Sequence, residues 1–172
     1  NVIGGGDWAA NRILPDAMRA LGQGQAIGLR NPSATRPWQH VLEPLSGYLC
    51  LAEHLSGHGG AEGAGGADLA SGFNFGPQLE ANRPVSSLVE EALLHWPGDW
   101  VDQSDPTSPH EAGMLNLVID KAHHQLGWAP RWSFATTIER TVSWYRRVQA
   151  AEASAVECCL DDLSAYNGAL QA

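Results

Sequence analysis

The sequence predicts an α/β fold that mixes amphipathic helices with short strands. Apolar residues recur at helical spacing, most clearly over Ile13–Leu21 and Ala135–Val148. Short apolar runs that stop at a glycine or a polar turn predict strands, as at Ala26–Arg30 and Gly72–Gly76. Apolar residues make up 44% of the 172 residues and charged residues 17%, which is typical of a globular chain with one core.

The first third of the chain predicts a strand, a helix and a second strand before a longer helix. The opening apolar residues run straight into Gly4–Gly6, as when a strand ends in a tight loop. The helix that begins at Ile13 tolerates Pro15 in its first turn. Pro44 suits the first turn of the next helix, which extends to Ser56.

The rest of the chain alternates loops, helices and a few strands. Gly57–Ala67 is rich in glycine and alanine and is typical of a surface loop. After it we expect, in order, helix Pro84–Trp96, strand Met114–Ile119, helix Lys121–Leu126 and a helical tail from Ala151. These strands are too few for a complete doubly wound sheet, so we expect the second half of a larger fold.

Charge and composition exclude several classes of partner. Lys and Arg total 10 against 19 Asp and Glu, a formal net charge of −9, which argues against nucleic acid and anionic membranes. No apolar run approaches the ~20 residues that span a bilayer. Three cysteines without framework spacing favour a reducing compartment, and the start at Asn1 lacks the pattern of a signal peptide.

The glycine cluster and the arginines are the candidate ligand-binding features. Gly4–Gly6 fits only the relaxed form of a dinucleotide fingerprint, and the acidic residue expected ~20 positions later is absent, so a structural turn is the favoured interpretation. Arg12, Arg30 and Arg36 lie near predicted element ends in a chain poor in positive charge. They indicate a phosphate or pyrophosphate site, with solvated surface charge as the alternative.

Metal binding and nucleophilic catalysis are not predicted. His54 and His58 are four residues apart, but no third ligand stands at a useful spacing. No G-x-S-x-G elbow is present.

Four segments together resemble a known enzyme family. NVIGGGDW, RNPSATRPWQHVLEP, FNFGP and LGWAP are similar to the C-terminal half of the CDP-glucose 4,6-dehydratases, and the resemblance covers Asn1–Arg147. These enzymes belong to the extended short-chain dehydrogenases/reductases. The resemblance implies the C-terminal part of a Rossmann-type fold whose N-terminal NAD-binding sheet is largely missing here. It divides the chain into a nucleotide-sugar-binding region, 1–150, and a helical tail, 151–172.

The resemblance also implies a reaction and a set of partners. A bound NAD would serve the conversion of CDP-glucose to CDP-4-keto-6-deoxyglucose and water. The enzyme would act in the cytoplasm, in deoxysugar and lipopolysaccharide O-antigen biosynthesis, and would form a homodimer when full length. CDP-glucose is thus the expected small-molecule partner, with no nucleic acid and no membrane.

Residue roles follow from the same resemblance. Asn1 matches the asparagine that begins the substrate loop near the sugar phosphate, and Arg36 matches the arginine that grips the diphosphate. Arg12 begins the helix that supports the substrate. Asn74 and His110 fall in segments that close over the nucleotide.

The catalytic motif of the family is absent from this chain. The only lysine is Lys121, and four places before it stands Leu117, so no Y-x-x-x-K pair can occur. We therefore expect an enzyme fragment that is inactive without its NAD-binding half and exposes apolar surface where that half packs. The alternatives are a stand-alone nucleotide-sugar-binding module, or part of another nucleotide-sugar epimerase or dehydratase. The coding sequence upstream of Asn1 distinguishes them.

Overall fold

The structure, a computed structural model, describes residues 1–57, 69–105, 107 and 113–169. Six strands lie within these ranges: β1 Val2–Ile3, β2 Ile27–Leu29, β3 Thr35–Pro37, β4 Gln39–His40, β5 Asn82–Pro84 and β6 Trp100–Asp102. Six helices lie within them: α1 Ile13–Gly22, α2 Leu42–Leu55, α3 Val85–His95, α4 Asp120–Leu126, α5 Phe134–Gln149 and α6 Ala155–Gly168. A single 3-10 turn, Leu79–Ala81, precedes β5.

The strands form three separate pairs. β1 runs parallel to β4, with Val2 opposite Gln39, and β2 runs parallel to β6, with Ile27 opposite Trp100. β3 and β5 are antiparallel. Among the described residues each sheet therefore has two strands, fewer than a parallel sheet needs to be covered and stable.

The main core lies where α1, α3 and α5 pack around β2. Its most buried side chains come from these helices, with Leu14, Met18, Leu88, Ile138 and Val142, and from β2, with Ile27 and Leu29. A smaller cluster joins Phe75, Leu126 and Trp128 beneath α2. Lys121 fastens the neighbouring segment, because its ammonium group donates to Ser71 Oγ at 2.7 Å and to the Gly72 carbonyl at 3.0 Å, above the ring of Phe73.

The predicted helices are confirmed, and two predicted strands are wrong. Gly72–Gly76 forms no ladder, and within Met114–Ile119 only Met114 makes one isolated bridge, to Thr35. Asn74 instead joins the two segments through a side-chain hydrogen bond of 3.3 Å to the Val118 carbonyl. The predicted Gly57–Ala67 loop lies outside the described residues except for Gly57.

The glycine turn after β1 is shaped by close packing. A Cβ atom on Gly5 would lie 2.1 Å from Cγ of Trp144, and one on Gly4 would lie 2.9 Å from Cγ1 of Val41. Gly6 has a φ of +87°, which favours glycine. The backbone therefore lies against the Trp144 indole of α5 because these residues have no side chains, which favours the structural interpretation of the cluster.

Helix α2 is apolar on more than its buried side. Its buried residues are Glu43, Pro44 and Gly47. Large apolar side chains on its remaining surface are exposed: Leu45 (46%), Tyr48 (59%), Leu49 (68%) and Leu55 (48%). The described part of the chain thus leaves a row of apolar side chains on α2 open to water.

Helix α6, which forms the predicted helical tail, packs on the body through polar groups as well as apolar ones. Ser154 begins it with a capping box closed by Glu157. Its buried residues, Cys158, Asp162 and Tyr166, recur every four positions and therefore share one face. Among the described helices, none is long and apolar enough to cross a bilayer.

Candidate functional site

Asn1 and Arg36 lie together beside the β3–β4 connection. The amino group of Asn1 donates to the Pro37 carbonyl, and the Asn1 carbonyl accepts a 3.0 Å hydrogen bond from the Gln39 amide. The Arg36 guanidinium lies close enough to the Asn1 backbone nitrogen to act on it electrostatically. Two of the five predicted site residues are thus brought together by β1, β3 and β4.

Arg36 faces a second arginine that the sequence analysis missed. The antiparallel register of β3 and β5 sets Arg36 directly opposite Arg83. Arg36 is half-buried and its Nη1 donates to the Thr35 carbonyl at 2.8 Å. Arg83 is exposed, donates from Nε to the Glu80 carbonyl at 2.7 Å, and lies 5.8 Å from the centroid of the Phe134 ring.

Like charges directly opposite each other on neighbouring strands are unfavourable. An anion bound between the guanidinium groups of Arg36 and Arg83 would offset that repulsion. Only the pairing of β3 with β5, which depends on residues far apart in sequence, could have indicated Arg83.

Arg12 occupies the helix start that was predicted for it, but its charge is already paired. It is the N-cap residue of α1, and its Nη1 lies 3.0 Å from Oδ2 of Asp7. The backbone amide of Ala9 and the Arg12 guanidinium hold the pKa of Asp7 below its usual value. Arg19 also anchors this loop by donating to the carbonyls of Trp8 and Ala9 at 3.0 and 3.3 Å. A diphosphate at Arg12 would share the guanidinium with Asp7.

Of the two residues expected to close over the nucleotide, only one is described. Asn74 is exposed, with its amide on the Val118 carbonyl as given above. His110 lies outside the described residues. Beside Asn74 the backbone carbonyl of Phe75 accepts a 2.9 Å hydrogen bond from the buried Gln39 amide, which fixes this segment against β4.

Gly4–Gly6 do not form a cofactor cradle, and the described residues do not form a metal centre. The space above Gly4–Gly6 that a pyrophosphate would need is filled by Trp144 and Val41. No group of three or more potential metal ligands comes together within the described part of the chain.

Solved structures with the same fold are nucleotide-sugar dehydratases and epimerases. The dTDP-glucose 4,6-dehydratase of Bacillus anthracis in complex with NAD has a TM-score of 0.67 at 16% identity, over 86% of this chain and 42% of that chain. The UDP-glucose 4-epimerase of Bifidobacterium longum, in complex with NAD+ and UDP, has a TM-score of 0.60 at 12% identity, over 86% and 45%. The fold is therefore that of the C-terminal part of an extended short-chain dehydrogenase/reductase.

Within this class the sequence is similar to one particular enzyme. The chain is 43% identical over 148 residues to the CDP-glucose 4,6-dehydratase of Salmonella typhimurium, which confirms the resemblance drawn from the four motifs. The match covers 85% of this chain and 39% of the Salmonella enzyme, so the chain spans about two fifths of that relative's length. No family model matches the sequence.

Proposed function

We propose that this chain is the nucleotide-sugar-binding part of a CDP-glucose 4,6-dehydratase. The observation that carries the proposal is the position of Arg36 beside Asn1 and opposite Arg83, in a chain 43% identical over 148 residues to the Salmonella dehydratase. The proposed site is Asn1, Arg12, Arg36, Asn74 and His110. It lies within region 1–150, and residues 151–172 are the helical tail.

The chemistry of the described residues supports binding rather than bond breaking. The Arg36 guanidinium offers a planar fork of donors that suits a diphosphate, in a chain whose overall charge would otherwise repel it. Holding the diphosphate keeps the sugar in place while the reacting carbons change, a use of binding energy remote from the chemistry.

The NAD chemistry and the proton-transferring residues belong, in this proposal, to polypeptide outside the chain. The absence of a Y-x-x-x-K pair supports this division, as does the coverage of 39% of the Salmonella relative. The complete enzyme would release CDP-4-keto-6-deoxyglucose and water, and would work as a cytoplasmic homodimer.

The test is titration of the 172-residue chain with CDP-glucose by calorimetry. Arg36→Ala should weaken binding about 30- to 150-fold, the equivalent of about 2–3 kcal/mol for a lost charge-assisted contact. Arg147→Ala is the matched control, because its guanidinium pairs with Asp161 of α6 at 2.7 Å, and it should change the affinity by less than about fivefold. Unchanged affinity in Arg36→Ala removes Arg36 from the site.

The coding sequence upstream of Asn1 tests whether the NAD-binding part is encoded in the same polypeptide as this chain. An in-frame NAD-binding fold before Asn1 supports the dehydratase, whereas a start codon immediately before Asn1 supports a stand-alone binding module.

A further inference from the structure

The phenol of Tyr145, in α5, is hydrogen-bonded to the β1–α1 loop, residues 4–12. Its hydroxyl donates to the Asp7 carbonyl at 2.5 Å and lies 3.4 Å from the Gly4 carbonyl, although these residues are 138 and 141 positions away in sequence. Tyr145 is only 1% exposed. Burial and then the Asp7 carboxylate raise the pKa of Tyr145 to about 12, so the phenol keeps the proton that it donates. One side chain of α5 thus fixes the backbone of the loop from beneath.

Aromatic rings on either side of this phenol restrict the same loop. The ring of Trp8, which belongs to the loop, packs edge-on against Tyr145 with the ring centroids 5.0 Å apart. The indole of Trp144 occupies the space beside Gly5, and its ring lies 5.2 Å from that of Tyr145. Neighbouring residues of α5 therefore contact both the glycine turn and the segment that follows it.

The β1–α1 loop connects two residues of the proposed site. Asn1 precedes β1, and Arg12 ends the loop as the N-cap residue of α1. The residue before Arg12, Asn11, has a φ of +63°, in the left-handed region that residues other than glycine adopt only rarely. Such a conformation persists where the surrounding structure determines it. The direction in which Arg12 leaves the loop therefore depends on how the loop backbone is held. The contacts of Arg19 to the loop are exposed, whereas Tyr145 supplies a buried one.

We propose that Tyr145 is a positioning residue for nucleotide-sugar binding, because its hydroxyl holds the backbone of the loop that carries Arg12 and follows Asn1. The inference rests on the proposed function. Tyr145 acts through the loop carbonyls and does not touch the substrate, since its side chain is buried under the loop. Its effect is separate from that of the Asp7 carboxylate, which competes with a diphosphate for the Arg12 guanidinium.

The test compares two tyrosine variants of the 172-residue chain. Tyr145→Phe removes the hydroxyl and keeps the ring. Tyr166→Phe is the matched control, because Tyr166 is 3% exposed and also donates a buried hydroxyl, in its case to Glu43. Calorimetry measures the affinity for CDP-glucose, and amide hydrogen exchange followed by mass spectrometry measures the protection of residues 4–12. Circular dichroism checks that each variant folds, and thermal unfolding measures the stability that each has lost.

Tyr145→Phe should weaken CDP-glucose binding roughly 5- to 10-fold, as expected for one lost hydrogen bond, and should speed amide exchange in residues 4–12 about 10-fold. Tyr166→Phe should also lower the melting temperature, yet it should leave the affinity within about twofold and the exchange of residues 4–12 unchanged.

Equal affinities of the two variants overturn the proposal, because the hydroxyl of Tyr145 would then contribute only to stability or to nothing. Exchange of residues 4–12 in Tyr145→Phe that matches the unaltered chain overturns it as well. The exchange measurement needs no CDP-glucose, so the two failures are distinguishable. An unaltered chain that binds no CDP-glucose overturns the proposed function, whereas a loop that stays protected in Tyr145→Phe overturns the positioning role alone.

Discussion

The phenol of Tyr166 donates a 2.6 Å hydrogen bond to the carboxylate of Glu43 across 123 positions of sequence. The same carboxylate, in a residue only 1% exposed, accepts from the backbone amides of Arg131 and Trp132 at 3.0 and 2.8 Å. Glu43 thus joins α2, the segment before α5, and α6 at one buried point. Burial and the hydrogen bond to Glu43 raise the pKa of Tyr166 well above its ordinary value, so the phenol keeps its proton.

Glu43→Gln should destabilise the chain by about 2–4 kcal/mol. The amide presents an N–H group to donors that need an acceptor, and it removes the charge that strengthens three hydrogen bonds. Urea unfolding followed by circular dichroism measures the loss. Glu53→Gln, an exposed substitution on the same helix, should cost less than about 0.5 kcal/mol. Equal losses in the two variants would show that the network contributes nothing specific.

Gly5→Ala should be more damaging than an alanine at an open glycine. Its Cβ would meet the Trp144 ring at 2.1 Å, so the turn or α5 must shift, at a cost of about 1–3 kcal/mol or more. Gly72→Ala is the control, because nothing lies within 4 Å of the position of its Cβ. Thermal unfolding compares the variants, and Trp144→Leu should recover part of the loss in Gly5→Ala. A Gly5→Ala protein as stable as Gly72→Ala would contradict the packing described for the turn.

The buried pair His40 and Asp162 should give opposite pH dependences when each member is removed. Burial lowers the pKa of His40 to about 4, whereas burial raises the pKa of Asp162 to about 6. The folded state therefore keeps His40 neutral, so His40 lowers the free energy of unfolding as the pH falls from 6.5 through 4. The folded state keeps Asp162 protonated, so Asp162 raises the free energy of unfolding at low pH, and this contribution is lost as the pH rises from 3.8 through 6. The two effects nearly cancel in the unaltered chain.

Unfolding free energies of the variants, measured between pH 4 and 7, test this cancellation. Relative to the unaltered chain, Asp162→Asn should lose stability as the pH falls, and His40→Gln should gain it, each by an amount on the order of 1–3 kcal/mol across the range. Parallel curves for Asp162→Asn and His40→Gln would rule out the opposing pair.

Asp7→Asn should tighten CDP-glucose binding about twofold to fivefold if Arg12 contacts the diphosphate. The substitution releases the Arg12 guanidinium from its 3.0 Å partner, and exposed pairs of this kind are weak enough that the gain is small. Calorimetry measures it, and Asp16→Asn, which releases Arg19 instead, is the comparison. Equal effects from the two substitutions would point to net charge alone and remove Arg12 from the site.

The helices could be predicted because each carries a long apolar repeat, and tertiary packing follows that repeat. α1, α3 and α5 end within two residues of the predicted bounds. The strands could not be predicted equally well, because two or three residues show no period. Asn74 and Met114 lie in apolar segments that look like strands, yet a side-chain bond and one bridge hold them instead of a ladder.

The candidate site was predictable only where motifs fall within one segment. Arg36 and Asn1 come from specific motifs, and the structure places them side by side. Arg83 was missed because its position opposite Arg36 is decided by β3–β5 register, a long-range pairing that no local pattern encodes. The buried hydrogen-bond network around Glu43 was not predicted for the same reason, because its three donors lie 88 to 123 residues away in sequence.

The hydrogen bonds from Lys121 to Ser71 and Gly72 make the Lys121 side chain a spectroscopic probe of this segment. Because no other lysine exists in the sequence, an isotope-labelled methyl group introduced by reductive methylation would produce one side-chain signal. Its chemical shift, influenced by the Phe73 ring 4.2 Å from Nζ, would follow the docking of this single segment in the 172-residue chain.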